Sequence, residues 1–337
     1  MGPQVQVGFD QYTIKDRGLA PAELLEFARR HRLDGVQFLD PAQIDQGLEL
    51  RRLEDFGRLA ESTGLYLETG IPSPNPIRRS RELERSVSPR ERAAELEPYL
   101  DAVVALGCRV ARVYVGDRHD RFRSDFPWSA QLAATEEVFS LLTPRLRARG
   151  LQLAIETHAD LTLSELVQLL DRLDPEGFGV TLDTGNLAMR LDDPLEACMQ
   201  LAPRVLMTHI KDAVLSFTPR GLCWQARPVG SGMLPMPDLL AVLIQAQPGI
   251  RLSIELHPRT YDLPIYDRKW LAYFPGLTPA SLAAVVRLAA QCEVEYARGT
   301  LPTPAEVESV PWEERDLEWL ASSLGYLRSV VSTLATI

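Results

Sequence analysis

Strand-like and helix-like segments alternate along almost the whole chain of 337 residues. Short apolar runs such as 5–9 and 35–39 resemble buried strands, and segments such as 48–62 repeat apolar residues at helical spacing. This alternation is typical of parallel strands joined by crossover helices. Eight such units in ~290 residues predict a (β/α)8 TIM barrel, in which active sites lie at the carboxyl ends of the strands. A doubly wound open sheet is the alternative, but the first turn, Gly8-Phe-Asp-Gln-Tyr, lacks the glycine pattern of a dinucleotide site.

Four of the later apolar runs each stop at a potential metal ligand. An ionisable side chain at the end of a buried strand is costly unless it has a partner. Each carboxylate could cap the helix that follows it, but capping does not explain why all four runs end this way. One shared divalent cation explains why all four runs end this way, because three carboxylates and one imidazole suit a hard ion with room for substrate oxygens. The predicted ligands are Glu156, Asp183, His209 and Glu255.

Mn²⁺ is the expected ion at this site, with Mg²⁺, Co²⁺ or Zn²⁺ as alternatives. A cysteine-based zinc site is not expected, because the cysteines are widely separated in the chain. The same separation argues against a disulfide framework.

Composition narrows the class of protein further. With 45% hydrophobic and 24% charged residues the chain is globular, and no apolar run is long enough to span a membrane. No secretory signal precedes the first strand, so a cytoplasmic location is expected. A formal net charge of −10 argues against nucleic acid or an anionic membrane as the main partner. We expect a small molecule as the main partner.

The barrel is predicted to occupy residues 1–300, and a helical extension residues 301–337. A long aromatic loop, 258–276, follows the eighth strand and is expected to form a lid or a dimer contact, or to pack on the extension. The extra C-terminal helix is expected to pack on the barrel or on a partner subunit, as in a homodimer.

Several short motifs resemble the sugar phosphate isomerase/epimerase family, the xylose isomerase-like TIM barrels. The resemblance runs over residues 5–297. It implies that the residues matching Glu156, Asp183, His209 and Glu255 bind one divalent metal, and that the two glutamates flank the substrate as acid and base. Many epimerases carry histidine three residues after the metal-binding aspartate, where this chain has Asn186. The motifs are Ala154-Ile-Glu-Thr-His, Thr181-Leu-Asp-Thr-Gly-Asn, Thr208-His-Ile-Lys-Asp, Arg227-Pro-Val-Gly-Ser-Gly and Ser253-Ile-Glu-Leu-His.

Further polar residues near these motifs are candidates for substrate binding. Lys211 lies two residues after His209, so on an extended strand it shares that face; it would bind an anionic oxygen or form a salt bridge with Asp212 or Glu156. Arg227 precedes Gly230-Ser-Gly232, read as a flexible turn that brings the guanidinium to a substrate carboxylate or hydroxyl. The complete set of substrate-binding candidates is Glu68, His158, Asn186, Lys211, Arg227 and His257.

The predicted activity is that of a metal-dependent sugar isomerase or epimerase. Glu156 and Glu255 would move a proton next to a keto sugar carbonyl through a metal-stabilised enediolate. A lyase that dehydrates or decarboxylates a keto sugar or keto sugar acid is the main alternative. An apurinic endonuclease-like phosphodiesterase is remote, because those enzymes use several zinc ions and many histidines and this chain has five histidines. A non-catalytic binding module would be expected to have lost one of the two glutamates.

Overall fold

The computed structural model describes residues 5–334. None of the helices in this range is long and apolar enough to cross a membrane. The strands are β1 (Gln6–Asp10), β2 (Gly35–Phe38), β3 (Tyr66–Gly70), β4 (Val110–Val113), β5 (Gln152–Glu156), β6 (Phe178–Asp183), β7 (Val205–His209), β8 (Asp212–Thr218), β9 (Gly221–Arg227), β10 (Arg251–Ile254) and β11 (Thr260–Leu263).

Helices follow most of these strands, as the sequence pattern predicts. They are α1 (Pro21–Arg30), α2 (Leu50–Ser62), α3 (Pro76–Glu82), α4 (Pro89–Ala105), α5 (Arg118–Arg121), α6 (Trp128–Arg149), α7 (Leu163–Arg172), α8 (Thr184–Met189), α9 (Pro194–Leu201), α10 (Met236–Ala246), α11 (Arg268–Leu271), α12 (Pro279–Arg298), α13 (Pro304–Glu308) and α14 (Trp312–Leu334). Short 3₁₀ helices cover Gln11–Arg17, Pro41–Gln43 and Ala202–Arg204.

Eight strands form one sheet in the order β10-β1-β2-β3-β4-β5-β6-β7. Neighbouring strands such as β1 and β10, or β4 and β5, pair in parallel. An isolated parallel bridge between Ile210 and Ile254 links the chain just after β7 to β10, so the barrel is nearly closed. The prediction of a TIM barrel is therefore confirmed.

The described chain divides into two compact units. The central unit comprises Ala20–Thr181 and Arg204–Met207. Its strands are packed closely where glycine permits it: a Cβ added at Gly35 would lie 2.3 Å from the ring of Tyr66 on the neighbouring strand. Helices α4 and α6 pack together and bury apolar faces that include Leu96, Leu100 and Phe139.

The terminal unit comprises residues 5–19, Leu182–Pro203 and residues 208–334. It contains a second sheet that the sequence pattern did not predict, with strand order β11-β9-β8, all antiparallel. The hairpin β8–β9 is inserted between β7 and α10, where a standard strand–helix unit has only a loop. The long connection 258–276 contributes β11 and α11 to this unit.

The turn around Gly230 is held in place rather than flexible, which corrects the sequence-based expectation. The Asp212 carboxylate accepts backbone N–H groups from Ala213 (2.8 Å), Gly230 (3.1 Å), Gly232 (3.0 Å) and Leu234 (3.1 Å). Gly230 has φ +84°, and a Cβ there would lie 2.2 Å from the Tyr326 ring. One carboxylate thus fixes the whole turn that links β9 to α10.

Helix α14 packs on the terminal unit, against the 3₁₀ helix Gln11–Arg17, β1, β10 and α10. Arg17 donates from Nε (2.8 Å) and Nη2 (2.6 Å) to the buried carboxylate of Asp316. Ser323 Oγ accepts the N–H of Val229 at 2.9 Å. The domain boundary at residue 300 stays a prediction.

Replacing Asp212 by alanine should lower the free energy of unfolding by about 3 kcal/mol or more, because four backbone N–H groups lose their acceptor. Burial raises the pKa of Asp212 to about 6, while these N–H groups favour the ionised form. Denaturant unfolding would measure the loss. Asp212→Asn, which keeps one acceptor oxygen, should be intermediate, and Asp262→Ala, at an exposed position of β11, should change little. An unchanged midpoint for Asp212→Ala would contradict this role.

Candidate active site

The four predicted ligands lie at the carboxyl ends of their barrel strands. Glu156 ends β5, Asp183 ends β6, His209 ends β7, and Glu255 directly follows β10. The first three are fully buried, at 0–1% exposure, whereas the Glu255 side chain is 14% exposed. The partial exposure of Glu255 leaves one carboxylate of the set accessible to a small molecule.

Three of these residues form a cluster suited to a metal ion. Glu156, Asp183 and His209 each offer one ligand atom, and these atoms lie within 4.8 Å of one another. In the terminal unit Glu255 extends the set, with Oε2 3.7 Å from His209 Nδ1. Carboxylate oxygens and an imidazole nitrogen are donors that Mn²⁺, Mg²⁺, Co²⁺ and Zn²⁺ accept, so the residues present fit a divalent ion.

The two ring nitrogens of His209 face different partners. Nδ1 lies 4.0 Å from Asp183 Oδ2 and faces Glu255, whereas Nε2 lies 3.4 Å from Asp10 Oδ2. A carboxylate beside one nitrogen favours the proton there and leaves the other as a metal ligand. Sequence analysis missed Asp10, although β1 also stops on a carboxylate; the pattern used for the other four residues would have found it.

Asp183 also caps the helix that follows it. Its Oδ1 accepts the backbone N–H of Asn186 at 3.0 Å, and its Oδ2 accepts from the Asn186 side chain at 2.8 Å. For this residue the capping interpretation and the metal interpretation are compatible, because each carboxylate oxygen has more than one lone pair. Asn186 therefore touches the predicted ligand directly.

Lys211 places a buried positive charge among the ligands of the terminal unit. Its Nζ lies 2.8 Å from Asp183 Oδ2 and donates to Glu255 Oε2. These partners differ from Asp212 and Glu156, which the sequence suggested for a salt bridge. Burial alone would lower the pKa of Lys211, but the two carboxylates outweigh it and raise the pKa above its ordinary value. Lys211 is therefore an ammonium that neutralises part of the site.

Arg112 places a buried positive charge beside Glu156 within the central unit. Its Nη1 donates to Glu156 Oε2 at 2.5 Å, and both side chains are buried. The guanidinium also lies 5.8 Å from the centre of the Tyr114 ring, on which Arg78 stacks from 5.4 Å. An arginine inside the apolar run Val110-Ala-Arg-Val was the available signal for this residue, and sequence analysis did not use it.

An aromatic wall surrounds His257 in the terminal unit. The centroids of Trp224, Tyr261 and Tyr12 lie 5.8, 6.3 and 6.5 Å from that of His257. Burial, reinforced by the nearby charge of Lys211, lowers the pKa of His257 to about 3. The imidazole is consequently neutral at physiological pH and can donate or accept a hydrogen bond.

The remaining predicted substrate residues have diverse surroundings. His158 Nδ1 lies 2.9 Å from the carbonyl oxygen of Gly116, and Glu68 is buried in β3. Arg227 is buried at the end of β9 and donates to the carbonyl of Pro302 at 2.9 Å. That bond directs its guanidinium towards the chain after α12. The substrate-binding roles of these residues stay predictions.

The comparisons with known proteins agree with this architecture. The family profile described as xylose isomerase-like TIM barrel matches residues 25–272. The chain therefore belongs to the xylose isomerase-like TIM barrel family.

Two curated relatives share part of the sequence. YihM of Escherichia coli K12, described as uncharacterized, is 26% identical over 227 residues, which is 66% of this chain and 62% of YihM. The 3-oxo-isoapionate decarboxylase of Pectobacterium atrosepticum is 29% identical over 93 residues, or 27% of this chain and 34% of that enzyme. The chain thus spans less than two thirds of the length of these curated relatives.

Solved structures agree on the fold. The 3-keto-D-glucoside 4-epimerase YcjR of E. coli has a TM-score of 0.55 at 15% identity, covering 84% of this chain and 100% of that one. The IOLI protein with a bound zinc atom has a TM-score of 0.54 at 14% identity, covering 89% and 100%. At such identities the likeness shows the fold alone.

Acidification should destabilise the metal-stripped protein partly through His257. The unfolded residue binds a proton near its ordinary pKa of about 6.5, whereas the folded residue does not until pH falls to about 3. Stability is therefore present above pH ~6.5 and is lost as pH falls below it. Between pH 7 and 5 His257→Gln should remove about 1–2 kcal/mol of the pH dependence of the unfolding free energy.

Denaturant unfolding at several pH values checks this expectation. His119→Gln, at an exposed position, is the matched control and should keep the wild-type slope. If His257→Gln also keeps that slope, the imidazole is protonated in the folded state and the assignment of a neutral His257 is wrong.

Proposed function

We propose that the protein is a divalent-metal-dependent isomerase or epimerase of a keto sugar or sugar derivative. The observation that carries the proposal is the cluster of Glu156, Asp183 and His209, whose ligand atoms lie within 4.8 Å of one another at the ends of barrel strands. Glu255, partly exposed beside them, supplies a further carboxylate. Membership of a family whose neighbours include a sugar epimerase and a zinc-bound protein supports the same chemistry.

The ion would be held by Glu156, Asp183, His209 and Glu255. When bound, a divalent cation polarises a substrate carbonyl and makes the adjacent carbon more acidic. Asp10 would keep the proton of His209 on Nε2, so that Nδ1 remains a donor to the ion. Mn²⁺ is our first choice, and Zn²⁺ is the ion of the structural neighbour.

The protein's own groups would move the proton. One glutamate takes the proton from the carbon beside the carbonyl, and the electron pair of that C–H bond moves to the carbonyl oxygen to give an enediolate. The second glutamate returns a proton. Return to the opposite face of the same carbon gives an epimer, and return to the adjacent carbon gives an isomer.

Two buried cations would keep these glutamates in place. Arg112 donates to Glu156 and Lys211 donates to Glu255, so each carboxylate has a fixed orientation before the substrate arrives. Neutral His257 would hydrogen-bond the substrate and Tyr261 would stack against it, while buried Trp224 packs beside both rings. Pre-oriented groups of this kind lower the cost of reaching the transition state.

A lyase acting on a keto sugar acid is the second candidate. The same enediolate would form by loss of carbon dioxide from a 3-keto acid, or would expel a β-hydroxyl group. The partial similarity to a 3-oxo-isoapionate decarboxylase favours keeping this candidate.

Incubation of the Mn²⁺-loaded protein in D₂O with keto sugars and keto sugar acids, followed by NMR, tests the proposal. Deuterium should enter the carbon beside the carbonyl in wild type, and Glu156→Gln or Glu255→Gln should slow this exchange by about 10²–10⁴-fold, as loss of a general acid or base does. The product distinguishes an epimer or isomer from a lyase product. Glu137→Gln, outside the site, is the matched control.

Metal binding gives an independent readout of the same site. Asp183→Ala should weaken Mn²⁺ binding, measured by calorimetry, about tenfold or more, because it removes a direct ligand. If no substrate exchanges deuterium and Asp183→Ala binds metal as tightly as wild type, the proposed function is wrong and the strand-end carboxylates are structural.

A further inference from the structure

Arg259 is an exposed arginine whose side chain is nevertheless held by specific contacts. It lies in the connection between β10 and β11, four residues after Glu255. Its guanidinium donates to the hydroxyl of Tyr12, and from Nη1 to the hydroxyl of Tyr261 at 3.4 Å. It also lies 5.4 Å from the centre of the Tyr12 ring, within cation–π distance. Two phenols from different elements therefore fix the position of this group.

The charge of Arg259 has no acidic partner. Among residues 5–334 no carboxylate oxygen lies within 4.0 Å of its guanidinium, whereas Arg112 and Arg78 are paired with carboxylates. The two groups that hold Arg259 are neutral phenols, and burial raises the pKa of Tyr12 above its ordinary value. A guanidinium oriented by neutral groups keeps both its full charge and its preference for a planar anion.

The residues that hold Arg259 also line the candidate active site in the terminal unit. Tyr261 packs on His257 and Trp224, and the backbone N–H of Arg259 donates to His257 Nδ1 at 3.3 Å. The backbone N–H of Tyr12 donates to Asp10 Oδ1 at 2.7 Å, and Asp10 is the carboxylate beside His209. Arg259 is thus joined by direct contacts to His257, which lies two residues after Glu255.

We propose that Arg259, with the hydroxyls of Tyr12 and Tyr261, binds an anionic group of the substrate, a carboxylate or a phosphate. This inference rests on the proposed function and defines its substrate class: a keto sugar acid or a sugar phosphate rather than a neutral keto sugar. The anion would be held away from the reacting carbon, so Arg259 sets specificity and does not take part in proton transfer. None of the substrate residues suggested by the sequence motifs supplies such a group, since Lys211 and Arg227 are already engaged.

Calorimetric binding of three matched polyols to the Mn²⁺-loaded protein tests this role. Glucitol is the neutral probe, gluconate carries a carboxylate, and glucitol 6-phosphate carries a phosphate. Wild type should bind one of the anions about 10–100-fold more tightly than glucitol, as expected for a charge-assisted pair. The anion that gains this affinity identifies the group recognised.

Variants separate Arg259 from the general charge of the protein. Arg259→Gln should lose the preference for the anion while glucitol binds as in wild type, because only the charged contact is removed. Arg259→Lys should keep part of the preference, since it retains the charge but not the planar fork. Arg268→Gln removes an equal charge at an exposed position of α11 and should behave as wild type.

Two results would overturn the inference. One is wild-type protein that binds neither anion more tightly than glucitol; the other is Arg259→Gln protein that keeps the preference. Deuterium exchange distinguishes this failure from failure of the proposed function: exchange of keto sugar acids and sugar phosphates at equal rates in wild type and Arg259→Gln would leave the isomerase or epimerase standing with Arg259 excluded. Absence of exchange with every substrate, together with intact anion selectivity, would reject the activity but not the anion site.

Discussion

Negative charge buried at the ends of barrel strands is the constraint on which the rest of the site depends. Three carboxylates, Glu156, Asp183 and Glu255, lie at or just after strand ends, and isolated burial of even one would cost several kcal/mol. Two buried cations, Arg112 and Lys211, offset this cost. Each is in direct contact with the carboxylates of its own unit. Their packing explains why polar residues can follow such apolar strands.

Lys211 has a second effect on the same site. An ion that binds Asp183 and Glu255 shares those oxygens with an ammonium, and like charges at short range repel. The affinity for such an ion would consequently be lower than the carboxylates alone would give, while the summed positive charge would suit the enediolate of the proposed reaction or another anion. A tightly bound, permanently sequestered ion is not what this arrangement favours.

The fold was predictable from local sequence because strand and helix periods are local properties. The runs expected to stop at Glu156, Asp183 and His209 are strands that end at these residues, and the expected extra C-terminal helix is α14. The hairpin β8–β9 was missed because the strand–helix repeat has no place for an inserted antiparallel pair, although its alternating residues carry a strand signal. The turn at Gly230 was misread because glycine indicates flexibility only when no distant group, here Asp212, holds the backbone.

The candidate site was predictable only in part, because sequence patterns report features of neighbouring residues and not contacts between distant ones. A candidate ligand at the end of a strand can be recognised from the residues next to it in the sequence. A side chain whose role depends on a distant partner cannot be recognised in this way. Arg259 depends on Tyr12, 247 positions away, and no short motif contains both residues. Asp10 could have been recognised from the sequence, because it ends the apolar strand β1, but the strand-end pattern was not applied to it.

The contacts between the two ends of the described chain bear on how the protein folds as it is made. Leu256 donates its N–H to Thr13 across 243 positions, and Arg17 meets Asp316 across 299. During synthesis the first strand leaves the ribosome long before its neighbour β10 exists, so the edge of β1 that pairs with β10 stays without its partner for most of that time. Such distant contacts make closure of the barrel late and slow, and until then the edge of β1 that pairs with β10 is open to pairing with another chain.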